Sequence, residues 1–312
     1  MDKSFNCDWM KINDGLCPGQ SFQVVEDGPD WDIIESNLGM RMKRGKSNAS
    51  IPQYLKFPVS DMGDYEKISA MLDPGSAERY SDDFYEDLAA RTKRGEVRGV
   101  NFSALFGFAR ELMGLENYCT AIYDYPELVQ KILDDRVDMA KNLYKKATSV
   151  QGIDFVQIWE DMAYKSGPLV SPDFMENNML DRYIEICGEL RGDGVRLIMM
   201  DCDGYIDEIV PIVQRAGIDG IYPCEMASDS DPLKLRKKFP GVALMGGVDK
   251  RALAQDGKDG AKSELRRLQP LLKDGGFIPF IDHHIPPDIA FDTFDYYIRL
   301  KTELLANPDM KI

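Results

Sequence analysis

From Val97 onward the sequence alternates short apolar runs with longer stretches whose apolar residues recur every three or four positions. No other feature limits the fold as much. The runs are Val97–Phe106, Phe155–Trp159, Val195–Met200, Gly220–Pro223, Val242–Met245 and Phe277–Ile281. Helical spacing is expected over Pro126–Val150, Ser171–Arg191, Asp207–Ala216, Asp231–Phe239, Lys250–Lys273 with a break near Gly257, and Pro286–Leu305. Ser171-Pro172-Asp173 supplies an N-cap followed by a proline in the first turn. Strands that alternate with crossover helices at this spacing imply a parallel sheet. Both a closed β/α barrel and an open doubly wound sheet satisfy that pattern. No Gly-x-Gly-x-x-Gly follows the early strands, which counts against a dinucleotide-binding version of the open sheet.

The first part of the chain reads differently. Gly and Asp are frequent up to Pro29, a short basic stretch follows at Arg41–Arg44, and Ile51–Val59 mixes prolines with β-formers and is expected to be extended. Asp83–Lys93 has the spacing of a short amphipathic helix. The expectation is one domain over residues 1–312, with an irregular N-terminal part (1–95) and a regular β/α part (96–306). Lys plus Arg is 38 and Asp plus Glu 53, a net charge of −15, which repels nucleic acid and anionic lipid. No apolar run approaches the roughly 18 residues of a membrane span, and the N-terminus shows no apolar signal core. A cytoplasmic chain without nucleic-acid or membrane partners is expected. The six cysteines form no CxxC pair, which points to reduced thiols and not to a disulfide framework.

The chemistry-bearing residues gather where the apolar runs end. Phe155–Trp159 leads into Glu160-Asp161, Val195–Met200 into Asp201-Cys202-Asp203-Gly204, Gly220–Pro223 into Cys224-Glu225, and Phe277–Ile281 into Asp282-His283-His284. In a β/α barrel those ends share one mouth, where the active site lies. The bland reading is that such acids cap the helices that follow; it holds equally well for Asp249, just before Lys250-Arg251-Ala252. The chain has 2 histidines, His283 and His284. At a strand end with carboxylates and thiols arriving from neighbours, an imidazole suits metal binding or acid–base work. Residues two apart on extended chain share a face, so Asp201 and Asp203 are expected on one side and Cys202 on the other. Paired carboxylates repel unless a cation or shared proton compensates; the alternative is that both are solvated loop residues.

Beyond these features the chain resembles a known group. GFARELMGLENYCTAIYDYPELVQKIL, FVQIWEDMAYKSGPLVSPDFM, the Asp201–Gly204 block with DEIVPIVQRAGIDGIYPCE, LMGGVDKRAL and GGFIPFIDHHIPP occur in the order found in the uroporphyrinogen decarboxylase-like superfamily. The resemblance implies a (β/α)8 TIM-type barrel, here with an irregular N-terminal extension. It also separates two branches. The true decarboxylase carries an Arg-Gln-Ala-Gly-Arg-Tyr stretch near its N-terminus, which this chain lacks. The corrinoid-dependent methyltransferase branch carries His-x-Cys after a central strand and a late Cys as zinc ligands. Counting from Gly217-Ile-Asp219, those positions fall on Asp201, Asp203 and His283, and a following Glu matches Glu225. A gap of one residue would put Cys202 on the Cys position instead.

The resemblance thus implies a metal-dependent methyltransferase. Asp203, Glu225 and His283 are the expected ligands of a divalent ion, zinc first, with Mn²⁺ or Fe²⁺ also suited to such a set. Asp201 is a fourth ligand or a partner of one. Glu160 and Asp161 are candidates to orient substrate or deliver a proton. Asp282 or Asp249 is expected to orient the second nitrogen of His283, and His283, not His284, is expected to face the site. The methyl donor would be small, a methyl ether fitting the hard ligand set. The corrinoid would arrive on a separate protein, because no Asp-x-His-x-x-Gly is present. Two alternatives stand beside this: a lyase or decarboxylase on a small carboxylate or tetrapyrrole, with Asp201 or Asp203 as general acid, and a non-catalytic barrel that binds a corrinoid or tetrapyrrole.

Overall fold

The computed structural model describes residues 12–17, 19–47, 52–80, 82–148 and 152–312. Ile51 and Val150, which bound two of the expected segments, lie outside the described residues, as does Cys7, one of the six cysteines. Contacts gather the chain into two compact units: the segment up to Glu160 together with Glu185–Arg196, and Asp161–Ile184 together with Leu197–Ile312.

The first unit opens with β1 (Phe22–Asp27), β2 (Trp31–Ser36), β3 (Arg41–Gly45) and β4 (Gln53–Lys56), an antiparallel sheet in that order. Within the N-terminal part expected to be irregular (1–95), these four strands thus form a regular meander. Its strands hide from a hydrophobicity reading because the covered face of β2 presents Asp32, Ile34 and Ser36, while β1 and β4 are exposed throughout. Polar pairing replaces apolar alternation: Asp32 stands opposite Arg44 and bonds it at 3.1 Å, and the Ser36 hydroxyl accepts the N–H groups of Leu38 and Met40 in the following turn. Next come α1 (Met62–Ser69), with Asp61 accepting the Asp64 N–H as its cap, and α2 (Asp82–Arg94), close to the expected Asp83–Lys93.

The parallel part of this unit is built from β5 (Gly99–Ser103), α3 (Leu105–Met113), α4 (Leu115–Asp124), α5 (Pro126–Thr148) and β6 (Phe155–Trp159). β5 and β6 pair in parallel from Gly99↔Phe155 to Ser103↔Trp159. The run Val97–Phe106 is thus not all strand; the chain turns at Ala104, whose N–H bonds the Trp159 carbonyl, and α3 begins at once. α5 buries Leu128, Val129, Ile132, Leu133, Val137, Ala140 and Leu143. That spacing of three and four gives one apolar face, which packs on α3 and α4.

The second unit starts with the short pair β7 (Ala163–Tyr164) and β8 (Gly167–Pro168). Ser171 caps α6 (Pro172–Phe174) as expected, and the helix passes through a π turn at Met175–Met179 into α7 (Leu180–Gly192), which belongs to the first unit from Glu185 onward. Then follow β9 (Leu197–Asp201), α8 (Val210–Arg215), β10 (Gly220–Cys224), α9 (Pro232–Lys238), β11 (Ala243–Val248), α10 (Lys250–Asp274), β12 (Phe277–Ile281) and α11 (Phe291–Ala306). The four strands lie in the order β12-β11-β10-β9, all parallel, with Gly220 opposite both Met199 and Ala243 and Val248 opposite Ile281. Helices pack against these strands, which explains their continuous apolar runs.

Two helices are shorter than expected. Asp207–Ala216 is helical only over Val210–Arg215. Pro286–Leu305 becomes α11 from Phe291, because Pro286 and Pro287 have no N–H to give and the chain there makes a turn closed by Ile289 N–H on the Pro286 carbonyl. The expected break at Gly257 is present: its φ of 59° and ψ of −130° leave the helical region within α10. None of the described cysteines is disulfide-bonded, and no described helix is long and apolar enough to cross a membrane.

Candidate active site

Because β9 to β12 run parallel, their C-terminal ends emerge on one edge of the second unit, and that edge carries most of the residues expected from the sequence. Asp201 closes β9 and is hydrogen-bonded by the Tyr222 hydroxyl, from the directly opposite position on β10. Cys202 is fully buried while Asp201 and Asp203 are partly exposed, the alternation expected of extended chain. Gly204 then turns the chain at φ 91°. A Cβ there would come within 2.9 Å of the Ala163 and Tyr164 backbone, so no other residue fits without displacement. Its N–H donates to Glu225 Oε2 at 3.1 Å, and the same carboxylate accepts the Ser228 hydroxyl at 3.0 Å.

His283 meets this group from the end of β12. Its Nε2 lies 2.9 Å from Asp203 Oδ2. His284 is exposed, and its ring stands edge-on to that of His283 with centroids 4.7 Å apart. The side chain turned toward the carboxylates is that of His283, as alternation requires. Asp161, which follows β6, joins from another direction. Its φ of 48° is uncommon for a residue with a side chain, and its N–H reaches the Asp201 carbonyl at 3.3 Å.

The electrostatics are those of crowded acids. Burial pushes the Asp203 carboxyl above the ordinary range, the charges of Asp161 and Glu225 push it further, and His283 opposes them. Burial also raises the Tyr222 hydroxyl, with Asp201 adding to the effect, so Tyr222 is a proton donor to Asp201 and stays neutral. The Cys224 thiol is likewise driven up by burial. Lys250 Nζ lies 3.9 Å from Glu225 and 4.0 Å from Asp282, a positive charge at the margin of the cluster.

Several expected roles are corrected. Glu160 is fully buried, and its two carboxylate oxygens accept the N–H groups of Leu105 (2.9 Å) and Gly107 (2.8 Å). It satisfies the first turn of α3 instead of presenting a carboxylate to substrate. Asp249 caps α10 through the Arg251 N–H and pairs with the Arg251 side chain. Asp282 binds the N–H groups of Met226 (3.0 Å) and Lys250 (3.2 Å), tying the loop after β10 to the start of α10. Neither is the orienting partner of His283; the carboxylate that contacts the ring is Asp203. Among the described residues, no three His, Cys, Asp or Glu side chains stand as a ready metal site, because Glu225 is turned to Gly204 and Ser228.

The sequence reading missed Tyr222, Lys250, Gly204 and Ser228. Tyr222 could be found only once the β9–β10 register was known. A glycine three residues after the terminal acid of a strand was a fair signal for Gly204, since a chain that reverses over another backbone there needs positive φ.

Comparison with known proteins now adds to this geometry. Uroporphyrinogen decarboxylases of two Campylobacter jejuni strains, serotype O:23/36 and serotype O:6, are each 25% identical over 288 residues, covering 88% of this chain and 78% of theirs. A solved methyltransferase from Methanosarcina mazei superposes with a TM-score of 0.54 at 14% identity, covering 86% of this chain and 76% of that one, a likeness of fold. Both agree with a TIM-type α/β barrel. The sequence profile described as uroporphyrinogen decarboxylase (URO-D) matches residues 32–303, and the chain therefore belongs to the uroporphyrinogen decarboxylase family.

Proposed function

We propose that the chain is a metal-dependent methyltransferase of this family, moving a methyl group from a small methylated donor to a corrinoid carried by a separate protein. The observation that carries the reading is the Asp203–His283 contact inside a cluster of carboxylates. In chemistry the donor set suits a divalent ion: Asp203, Glu225 and His283 offer oxygen and imidazole nitrogen, and a cation would favour the charged form of the Asp203 carboxyl, which burial first and then the charges of Asp161 and Glu225 disfavour. In arrangement Asp203 and His283 already touch, and Glu225 has to turn away from Gly204 and Ser228. Zinc is the first choice. Such an ion would act as a Lewis acid toward the heteroatom that bears the methyl group.

The protein's own groups have defined tasks in this reading. Asp203 and His283 hold the ion, and Asp161, fixed by its strained backbone, orients the donor. Tyr222 keeps a proton on its hydroxyl beside Asp201. Lys250 offsets part of the negative charge around Glu225. In this reading the bond between the methyl carbon and its heteroatom would break, the methyl passing to the corrinoid's cobalt(I) and the heteroatom leaving with the bonding pair and taking a proton from solvent. A polycarboxylate substrate would meet repulsion from Asp161, Asp201, Asp203 and Glu225.

Decarboxylation is the second reading, favoured by the 25% identity to curated decarboxylases. One experiment separates the two. The protein is given cob(I)alamin and 2-methoxyphenol anaerobically, and in parallel uroporphyrinogen III without any corrinoid. Zinc-dependent methylation of the cobalamin supports methyl transfer. Carbon dioxide release from uroporphyrinogen with no cobalamin methylation would replace it with the second reading.

A further inference from the structure

The parallel strands of the second unit carry an apolar surface beside the acidic cluster that none of the roles above uses. On β12, Phe277, Pro279 and Ile281 are buried, and α10 packs on this strand. Alternation turns Ile278 and Phe280 to the other face. Ile278 stands opposite Met245 on β11. Gly220 stands opposite both Met199 and Ala243, so Asp201, Tyr222 and Met245, each two residues further on, share that face with Ile278. Parallel strands are normally covered on both faces. Here Ile278 is 48% exposed, and Phe280 and Met245 are partly exposed.

A bare apolar surface takes any hydrocarbon, but two features of this one narrow the choice. The first is its polar end. The Tyr222 hydroxyl bonds Asp201, two residues before Asp203, and Asp203 Oδ2 lies 2.9 Å from Nε2 of His283, three residues after Phe280. A molecule lying on Ile278 and Phe280 therefore has its heteroatom end at the pair assigned to hold the ion. The second feature is an aromatic corner. The Phe280 and Tyr222 rings meet edge to face, with centroids 6.0 Å apart and planes at 72°. Opposite Phe280 on β11 is Gly247, which has no side chain to cover the ring. A partly open ring beside a second ring favours a flat aromatic body over a saturated one of the same size.

We propose that Phe280 and Ile278 determine donor specificity: the donor is an aryl methyl ether, its ring seated on Phe280, Ile278 and Met245 and its oxygen turned to Asp203 and His283. This rests on the methyl-transfer reading. The methyl carbon–oxygen bond breaks, the methyl passes to the carrier's cobalt(I), and the oxygen keeps the bonding pair and takes a proton from solvent, leaving a phenol. Binding and turnover test it separately on the zinc-supplemented full chain. In ligand-detected NMR titrations phenol should bind at least about tenfold more tightly than methanol, and about fivefold more tightly than cyclohexanol, which has the bulk without the aromatic face. Phe280→Ala and Ile278→Asp, at part-exposed and exposed positions, should each weaken phenol at least about tenfold and leave zinc uptake unchanged. With cob(I)alamin as acceptor, kcat/KM for methoxybenzene should exceed that for methanol at least about tenfold, and Phe280→Ala should remove the preference. Equal affinity for phenol and cyclohexanol, phenol binding unchanged in both variants, or methanol as good a donor as methoxybenzene overturns the proposal and leaves methyl transfer standing. Phenol binding that both variants lose while zinc uptake is retained, with no methylation from either donor, upholds the ring-binding surface and removes the methyl-transfer reading instead.

Discussion

Replacing Glu160 separates a structural from a catalytic carboxylate. The side chain is fully buried and accepts the Leu105 and Gly107 N–H groups at 2.9 and 2.8 Å. A hydrogen bond to a charged group contributes about 1.5–3 kcal/mol, and a negative charge at a helix N-terminus adds a few tenths or more. Glu160→Ala leaves both buried donors orphaned and should cost about 4 kcal/mol, a large share of the roughly 5–15 kcal/mol that holds a folded domain together. Glu160→Gln keeps one acceptor oxygen but points an amide N–H₂ at the second donor, and should cost about 2 kcal/mol on the same reasoning. Urea unfolding followed by far-ultraviolet circular dichroism should rank the midpoints wild type, Glu160→Gln, Glu160→Ala. Activity per folded molecule should change little. Unfolding midpoints equal to wild type, together with lost activity, would show that Glu160 does chemistry and that its helix-capping assignment is wrong.

Arg136 is fully buried between the Phe102 and Phe108 rings, at 4.1 and 4.2 Å, and donates to the Ser103 carbonyl while pairing with Asp14 at 2.8 Å. Arg136→Met should destabilise the fold by about 3–5 kcal/mol, the usual loss when one member of a buried pair is removed, visible as a lower thermal midpoint. Gly204→Ala should cost about 1–3 kcal/mol through its positive φ and the 2.9 Å approach to Ala163 and Tyr164; because it also displaces the Gly204 N–H from Glu225, it should lower activity more than stability in a paired assay. Arg98 and Arg196 hold the Asp154 carboxyl down, from its ordinary 3.8 to about 2. A depressed pKa stabilises the fold above the ordinary range and loses that effect as pH falls toward about 2, so the stability gap between wild type and Asp154→Asn should close over that interval in acid titrations; a gap independent of pH would contradict it.

Much of the parallel part was legible because strands packed by helices are continuously apolar, and because acids follow them. Phe155–Trp159 coincides with β6 in the first unit and Phe277–Ile281 with β12 in the second. The helix break was read from Gly257 itself, and the choice of His283 over His284 from strand alternation together with the family position it occupies. What stayed hidden depends on partners distant in sequence. The N-terminal sheet places Asp32 and Ser36 on its covered face, which no hydrophobic period reveals. Glu160 and Asp161 look alike as neighbours after a strand, yet one turns to the N–H groups of α3 and the other to the β9 end. Asp282 similarly looked like the orienting partner of His283, while its carboxylate serves two backbone donors.

The central claim is that Asp203 and His283 together form a metal-holding centre. It is tested most directly by titrating zinc into the chelator-treated full chain by calorimetry, alongside Asp203→Ala, His283→Ala and His284→Ala. The account predicts one ion bound per wild-type chain, loss of at least about a hundredfold in affinity in Asp203→Ala and His283→Ala, comparable to or greater than the loss of an outer partner of a metal ligand, and unchanged binding in His284→Ala. A wild-type chain that takes up no stoichiometric zinc, manganese or iron, or a His284→Ala chain that loses binding while His283→Ala keeps it, would contradict the account.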